Sequence, residues 1–317
     1  MSMEIKTVGI IGAGAIGSYF LWGMKELTES RICMIASGER KKRLEEQGLI
    51  INEETIHYPV KTPSEAHGVD LLLIATKYGA LRDILDDVKT IVDEHTIVMS
   101  LLNGVDSEEI VGEAIGMEHM LYSFMRISAE RRGNAVFFNP EVTRGLVFGE
   151  KGSPEMTERA QAVADFLDKT KCKYTFAPDI LAGMWEKYAS NISGNLPQAV
   201  FGVGAGAYRD SENLHMISKR LYEEVEAVAS AKGIRIPSFS EHEAVLATLK
   251  VRDNARYSTL QDLDAGRHTE IDMFAGAMMR YGKEENIPVP FCEYTYYAIK
   301  TREEMNDGLF EYNKLVF

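Results

Sequence analysis

A chain of 317 residues, 45% of them hydrophobic, exceeds the size at which one core usually keeps growing, so two packed domains are expected and large-scale disorder is excluded. Its 35 Lys and Arg against 48 Asp and Glu leave a net charge of −13, which repels nucleic-acid phosphates and anionic lipid headgroups; neither is an expected partner. Three scattered cysteines, Cys33, Cys172 and Cys292, fit neither a disulfide framework nor a zinc motif and point to a reducing cytoplasm.

Met1 to Lys6 leads straight into a strand without a charged n-region and long apolar stretch, and no later apolar run is long enough to span a bilayer, so the chain reads as unexported and not membrane-spanning. The first half then alternates short apolar runs with amphipathic segments, the pattern of a parallel sheet covered by helices. Thr7–Ile11, Ile32–Ala36, Leu71–Thr76 and Thr96–Leu101 read as buried strands, with Leu81–Val92 helix-like between two of them. Leu49–Asn52 and Ile56–Val60 suit a small hairpin. His119–Phe148 is β-rich, with Ala135–Phe138 and Val142–Phe148 broken by Asn139-Pro140, and is expected to extend the same sheet. Met156–Leu167 reads as a helix and Cys172–Phe176 as a last strand before Pro178. Beyond Pro178 strand signals vanish, and Ile180–Gly194, Asn213–Ala231, Ser240–Leu249, Thr269–Tyr281 and Phe291–Met305 carry helical periodicity. The expected fold class is α/β: an N-terminal Rossmann-type doubly wound sheet over residues 1–178 and an all-helical C-terminal domain over 179–317, packed together around a cleft with no flexible linker.

Gly12, Gly14 and Gly17 form G-x-G-x-x-G directly after an apolar strand and before a helical pattern. In that context the first glycine permits a tight turn, the second lets backbone approach a pyrophosphate and the third allows close helix–strand packing. The helix N-terminus then offers unpaired N–H groups to the anion, so the stretch Gly12-Ala13-Gly14-Ala15-Ile16-Gly17 reads as dinucleotide-binding; a purely structural glycine turn is the alternative. The end of the second strand discriminates NAD from NADP, because an acidic residue there binds ribose hydroxyls whereas basic residues accept a 2′-phosphate. Here Ser37-Gly38-Glu39 is followed by Arg40-Lys41-Lys42-Arg43, a small hydroxyl and then four basic residues, which favours NADP with Ser37, Arg40 and Lys41 as contacts. Glu39 keeps NAD open, and a solvated cationic helix start is the plain alternative.

Ligands on open parallel sheets lie beyond the carboxyl ends of the strands. Lys77 follows one strand and Asn103-Gly104 another, which places both near the cofactor or substrate; an exposed lysine and a turn-forming asparagine are the competing readings. In the helical half, Lys187, Asn191 and Asn195 are spaced i, i+4, i+8 and share one polar stripe beside Trp185, Ile192 and Leu196. A lysine with two asparagines can protonate a ketone oxygen and hold hydroxyl or carboxylate groups, although a solvated face has the same pattern. No metal is expected, since the histidines lack ligand spacing. Ser258-Thr259-Leu260-Gln261-Asp262 and Arg267-His268-Thr269-Glu270-Ile271-Asp272 add a dense polar set whose members could equally be helix caps.

The ordered set Gly12-Ala13-Gly14-Ala15-Ile16-Gly17, Lys77, Leu102-Asn103-Gly104, Trp185-x-Lys187-x-x-x-Asn191-x-x-x-Asn195, and Ser258 with Arg267-His268-Thr269-Glu270 resembles the ketopantoate reductase family across nearly the whole chain. That resemblance implies NADPH-dependent reduction of 2-dehydropantoate to (R)-pantoate, on the route to pantothenate and coenzyme A. It implies Lys187 as general acid, Glu270 as the carboxylate assisting substrate placement, Asn191, Asn195 and Ser258 as substrate binders, and Lys77 and Asn103 near cofactor and reacting carbonyl. Ser37 stands where many relatives carry an arginine, so NADP preference rests on Arg40 and Lys41. The expected partner is a small 2-keto acid, with a homodimer left open. The alternatives are a reductase of another bulky 2-keto acid on the same scaffold and a non-catalytic NADP-sensing protein.

Overall fold

The structure is a computed structural model that describes residues 3–27 and 31–310. Met1 and Ser2, read above as leading into the first strand, lie outside the described residues. The chain divides into two compact units, the first ending at Leu181 and the second starting at Ala182.

The first unit opens with β1 (Thr7–Ile11), α1 (Ala15–Met24), β2 (Arg31–Ile35), α2 (Gly38–Gln47), β3 (Leu49–Ile51), β4 (Glu54–Ile56), β5 (Val60–Lys61), β6 (Leu71–Ile74), α3 (Leu85–Ile91), β7 (Ile97–Ser100) and α4 (Ser107–Ile115). Five of these strands form a parallel sheet in the order β5-β2-β1-β6-β7. Its strands read as unbroken apolar runs because both faces are covered. Leu71 and Leu73 join the core beneath Tyr19, Phe20 and Met24 of α1, while Leu72 and Ile74 join the opposite core with Val88 and Ile91 of α3 and Val111 of α4. The alternation of side chains along one strand thus feeds two cores, as a doubly wound sheet requires. The expected Ile56–Val60 arm is corrected, because Val60 belongs to β5 beside β2 in the central sheet; the hairpin is β3 with β4. Its two turn residues, Asn52 and Glu53, both have left-handed backbone (φ 47° and 71°), the geometry that matches the strand twist.

The unit continues with β8 (Tyr122–Arg126), β9 (Ala129–Arg132), β10 (Ala135–Phe138), β11 (Gly145–Gly149), α5 (Glu158–Leu167) and β12 (Tyr174–Phe176). The expectation that this whole stretch extends the central sheet is corrected. β12-β11-β8 is a separate three-stranded sheet that meets β7 through a bridge, with Leu121 N–H donating to Val98 O at 2.9 Å. β10 goes elsewhere, into a four-stranded sheet of order β4-β3-β10-β9. The cause is aromatic packing over α1: the Phe138 ring meets Tyr19 and Trp22 edge-on, each at 5.4 Å between centroids.

The second unit is helical, and among its described residues none is in a strand: α6 (Ile180–Phe201), α7 (Ala207–Asp210), α8 (Glu212–Ala231), α9 (Phe239–Leu246), α10 (Ser258–Asp264), α11 (Ala277–Glu284) and α12 (Pro290–Asn306). Ser211 caps α8, and Ser238 with Glu241 makes a reciprocal capping box on α9. Two helices differ from their sequence patterns. The periodic run Thr269–Tyr281 becomes a π-helical turn over Asp272–Gly276 followed by α11, and the Tyr188 hydroxyl reaches the carbonyls of Met273 and Phe274 inside that turn (3.1 and 2.6 Å). α6 runs beyond Gly194 and straight through Pro197. Proline removes a donor from the helix ladder. Here the ladder is repaired by Tyr208, whose hydroxyl accepts from Gln198 N–H at 3.1 Å and donates to Gly194 O.

Candidate functional site

The glycine loop connects β1 to α1 as its spacing predicts, and the three glycines have different reasons to be there. Gly12 has φ +102°, and a Cβ on it would lie 2.5 Å from the Ala75 carbonyl of β6's C-terminal end. A Cβ on Gly17 would lie 1.9 Å from Gly12 O. Both are therefore demanded by the protein's own packing. Gly14 is not: its backbone is extended (φ −85°, ψ −162°), and a Cβ there would meet nothing closer than Ala75 O at 3.9 Å. The residue that only a ligand would require to be small is Gly14, with Ala13, Ala15 and Ile16 half-buried around it. Gly14 provides no side-chain cap, and Ser18 N–H donates to Gly14 O at 2.9 Å as the helix begins. The N–H groups of that first turn are the ones a helix leaves for an anion. Beside them, Thr76 carries a buried hydroxyl with no partner within the protein. Its backbone nitrogen would lie 2.8 Å from a Gly12 Cβ. The residues present fit a dinucleotide phosphate bridge.

The parallel sheet brings the other sequence-identified residues of this unit to the same edge. Ser37 caps α2 without a side-chain bond, directly after β2. Lys77 is exposed and opens a short turn after β6, whereas Asn103 is half-buried in the loop after β7. Tyr78 Oη donates to Asp106 Oδ2 at 2.6 Å and so ties the Lys77 turn to the Asn103 loop. Of the basic run, Lys41 Nζ is engaged by Glu65 Oε2 at 2.7 Å, and that hydrogen bond, with two more from Thr62, holds the Glu65 carboxyl down at about 2. Arg40 stays exposed, its guanidinium depressed by desolvation and by the like charges of Arg43 and Arg131.

The Asn103 loop rests on a buried relay that the sequence did not reveal. Ser100 Oγ accepts from Leu102 N–H at 3.5 Å and shares a 2.7 Å bond with Ser107 Oγ, which donates to Glu108 Oε2 at 2.9 Å. Glu108 is 1% exposed. Burial pushes its carboxyl up to about 8 against the opposing bonds from backbone and Ser107, with the Asp106 charge raising it further, so the group is a neutral acid at pH 7.

In the second unit, Lys187, Asn191 and Asn195 are all half-buried along α6, next to the buried Tyr188, Ile192 and Leu196. Tyr188 fastens this part of α6 to the π-turn that follows Glu270, since Met273 N and Phe274 N both donate to Glu270 O (3.0 and 3.2 Å). Glu270 is held from its other side as well. Thr269 N and Oγ1 donate to Glu303 Oε1, a carboxylate of α12 that is 2% exposed, at 2.7 and 2.6 Å. Ser258 is exposed at the first turn of α10. Its approach is fixed by the fully buried Gln198, which accepts from Tyr257 N at 2.5 Å and donates to Ala255 O at 3.0 Å. α6 thus bears the polar stripe on one face, while Tyr188 and Gln198 anchor the two segments carrying Glu270 and Ser258. Sequence spacing identified the stripe; Tyr188, Gln198, Tyr208 and Glu303 were missed, because each acts on a residue distant in the chain.

Two family models match the chain: ketopantoate reductase PanE/ApbA over residues 8–151 and the ketopantoate reductase PanE/ApbA C-terminal model over residues 179–303. A 2-dehydropantoate 2-reductase of Streptococcus pyogenes serotype M6 is 26% identical over 302 residues, covering 93% of this chain and 97% of the relative. Among solved structures, a PanE/ApbA family ketopantoate reductase from Ralstonia eutropha superposes with TM-score 0.80 at 22% identity, covering 95% of this chain and 99% of the other. D-mandelate dehydrogenase, in its ternary structure with NADH and anilino(oxo)acetate, superposes with TM-score 0.81 at 23% identity and the same coverage.

Proposed function

We propose that this chain, which belongs to the ketopantoate reductase family, is an NADPH-dependent reductase of a 2-keto acid, with 2-dehydropantoate as substrate and (R)-pantoate as product. The observation that carries the reading is the half-buried stripe Lys187-Asn191-Asn195 on a helix fastened by Tyr188 to the turn that follows Glu270. The first unit serves as the dinucleotide domain, held through Gly12 to Gly17, Ser37, Arg40, Lys41, Lys77 and Asn103, and the second as the substrate domain. The chemistry that a reduced nicotinamide supplies when bound is a hydride to the keto carbon. Lys187 donates a proton to the oxygen as it becomes an alkoxide, which gives the hydroxyl of the product. Asn191, Asn195 and Ser258 hold the substrate's carboxylate and hydroxyl groups, and Glu270 sets the substrate against Lys187.

A second reading has a specific motive. D-mandelate dehydrogenase matches the fold as well as the ketopantoate reductase does, so a bulkier 2-keto acid is the rival substrate. Oxidation of NADPH and of NADH, followed with ketopantoate, benzoylformate and branched aliphatic 2-keto acids, separates the two. Weak turnover of ketopantoate beside strong turnover of another acid removes the first substrate, and no turnover of any removes the reductase. The reading includes a cytoplasmic homodimer. Its three free, buried cysteines agree with a reducing compartment. Sedimentation equilibrium tests the assembly, and a mass of one chain would refute the dimer.

A further inference from the structure

The polar stripe on α6 has a gap in it. Gly194 follows Lys187 by seven positions and Asn191 by three, so it lies on the same face, half-buried beside Asn195. A glycine inside a helix weakens it, and packing does not demand this one. Among the described residues, a Cβ on Gly194 would meet one atom within 4 Å beyond α6's own backbone and the adjoining residues: Tyr257 Cε2, at 3.9 Å. That is ordinary van der Waals contact. The hydroxyl-bearing edge of the Tyr257 ring therefore borders an open notch in the stripe.

Tyr257 is held there by the helix it faces. Gln198, four positions beyond Gly194 and fully buried, accepts from Tyr257 N at 2.5 Å. The Tyr257 side chain does less for the fold than its backbone. It stands at the N-cap of α10, where Ser, Thr, Asp or Asn would bond the first turn, and it makes no side-chain cap. Among the described residues its hydroxyl has no hydrogen-bond partner, while burial pushes the pKa of that hydroxyl up. A half-buried phenol without a partner is a donor held ready for a ligand. A molecule lying along the stripe would have its reacting carbonyl at Lys187 and its far end at Tyr257, seven helical residues or about 10 Å along the axis.

We propose that Tyr257 is a specificity-determining residue: its hydroxyl hydrogen-bonds a hydroxyl group at the end of the substrate remote from the keto acid, which selects a 2-keto acid with a terminal hydroxyl over one that ends in carbon alone. The proposal rests on the reading of Lys187, Asn191 and Asn195 as the substrate site. Selection arises because an acid without that hydroxyl covers the phenol and leaves it unpaired.

A pair of substrates differing in one oxygen tests it. kcat/KM with NADPH is measured for ketopantoate and for trimethylpyruvate, the same carbon skeleton without the terminal hydroxyl, in the wild type and in Tyr257→Phe; (R)-pantoate is titrated against both proteins by calorimetry. The wild type is expected to favour ketopantoate by about a hundredfold or more. The Phe variant is expected to lose about tenfold or more in kcat/KM for ketopantoate and in affinity for (R)-pantoate, with trimethylpyruvate within about twofold. Its melting temperature stays that of the wild type, because the hydroxyl has no partner to lose within the protein. A ratio between the two acids that Phe leaves unchanged overturns the assignment, whether both rates fall together or neither does. So does a wild type that takes both acids equally, or a Phe variant with a lowered melting temperature. A wild type that reduces no 2-keto acid refutes the substrate reading on which the proposal rests, an outcome distinct from a ratio indifferent to Tyr257.

Discussion

Replacing Glu108 by Gln tests the buried relay under the Asn103 loop through its pH dependence. The carboxyl titrates at about 8 in the folded chain against an ordinary 4.5. Between those values the folded protein holds a proton that the unfolded chain releases, so the stability this group contributes is fully present below pH 4.5 and declines as pH rises, by about 1.4 kcal/mol per pH unit. Across the whole interval the loss amounts to about 5 kcal/mol, and it levels off once the folded form also ionises near pH 8. Gln has nearly the same shape, keeps an acceptor for Ser107 Oγ and carries no titrating proton. The expected result is a Gln variant whose stability relative to wild type improves by about 3 kcal/mol from pH 5 to pH 7. Urea unfolding of both proteins at pH 5, 6, 7, 8 and 9 measures it. Parallel stability curves, with a difference independent of pH, would show that Glu108 is not held neutral and would refute the reasoning.

Other substitutions probe the site from different sides. Gly14→Ala should fold with a melting temperature no lower than wild type yet bind dinucleotide at least about tenfold more weakly, whereas Gly17→Ala, whose Cβ would lie 1.9 Å from Gly12 O, should lower the melting temperature by several degrees; thermal scans beside titrations decide, and equal behaviour of the two would sink the division of roles. Tyr208→Phe leaves Gln198 N–H and Gly194 O without their bridge, at a cost of about 1–3 kcal/mol, read by chemical denaturation. An unchanged midpoint would mean that α6 does not need the repair. Lys187→Ala should reduce kcat by about 10²–10⁴ with dinucleotide affinity retained, and an unaltered kcat would remove Lys187 as proton donor.

What the sequence disclosed and what it hid divide along a physical line. The strand, glycine loop and helix at Thr7–Met24 were legible because each glycine answers to neighbours within a few residues or on the adjacent strand. The stripe on α6 was legible for the same local reason, through helical period, whereas the hairpin was legible only in its first arm, because its turn at Asn52 and Glu53 begins inside the expected strand. Charge pairing was not. Nothing in the spacing of Lys41 foretells its ion pair with Glu65, 24 residues on. Glu108 lies in the first turn of a helix, where an acid is ordinary, and only packing shows that it is buried. The sequence pattern ended α6 at Gly194, three residues before Pro197, and the side chain that lets the helix run on comes from the next helix along the chain.

The same line separates structural from functional residues inside the glycine loop. Gly12 and Gly17 are explained completely by the atoms around them, so finding them says little about a ligand. Gly14 has room for a methyl group and an ordinary backbone, and the buried Thr76 hydroxyl beside the loop has no partner within the protein. A buried hydroxyl left unsatisfied costs on the order of 1–3 kcal/mol, and a glycine without steric need adds chain entropy to the unfolded state. Neither feature stabilises the fold as described, and both would be compensated by one phosphate-bearing ligand in the same place.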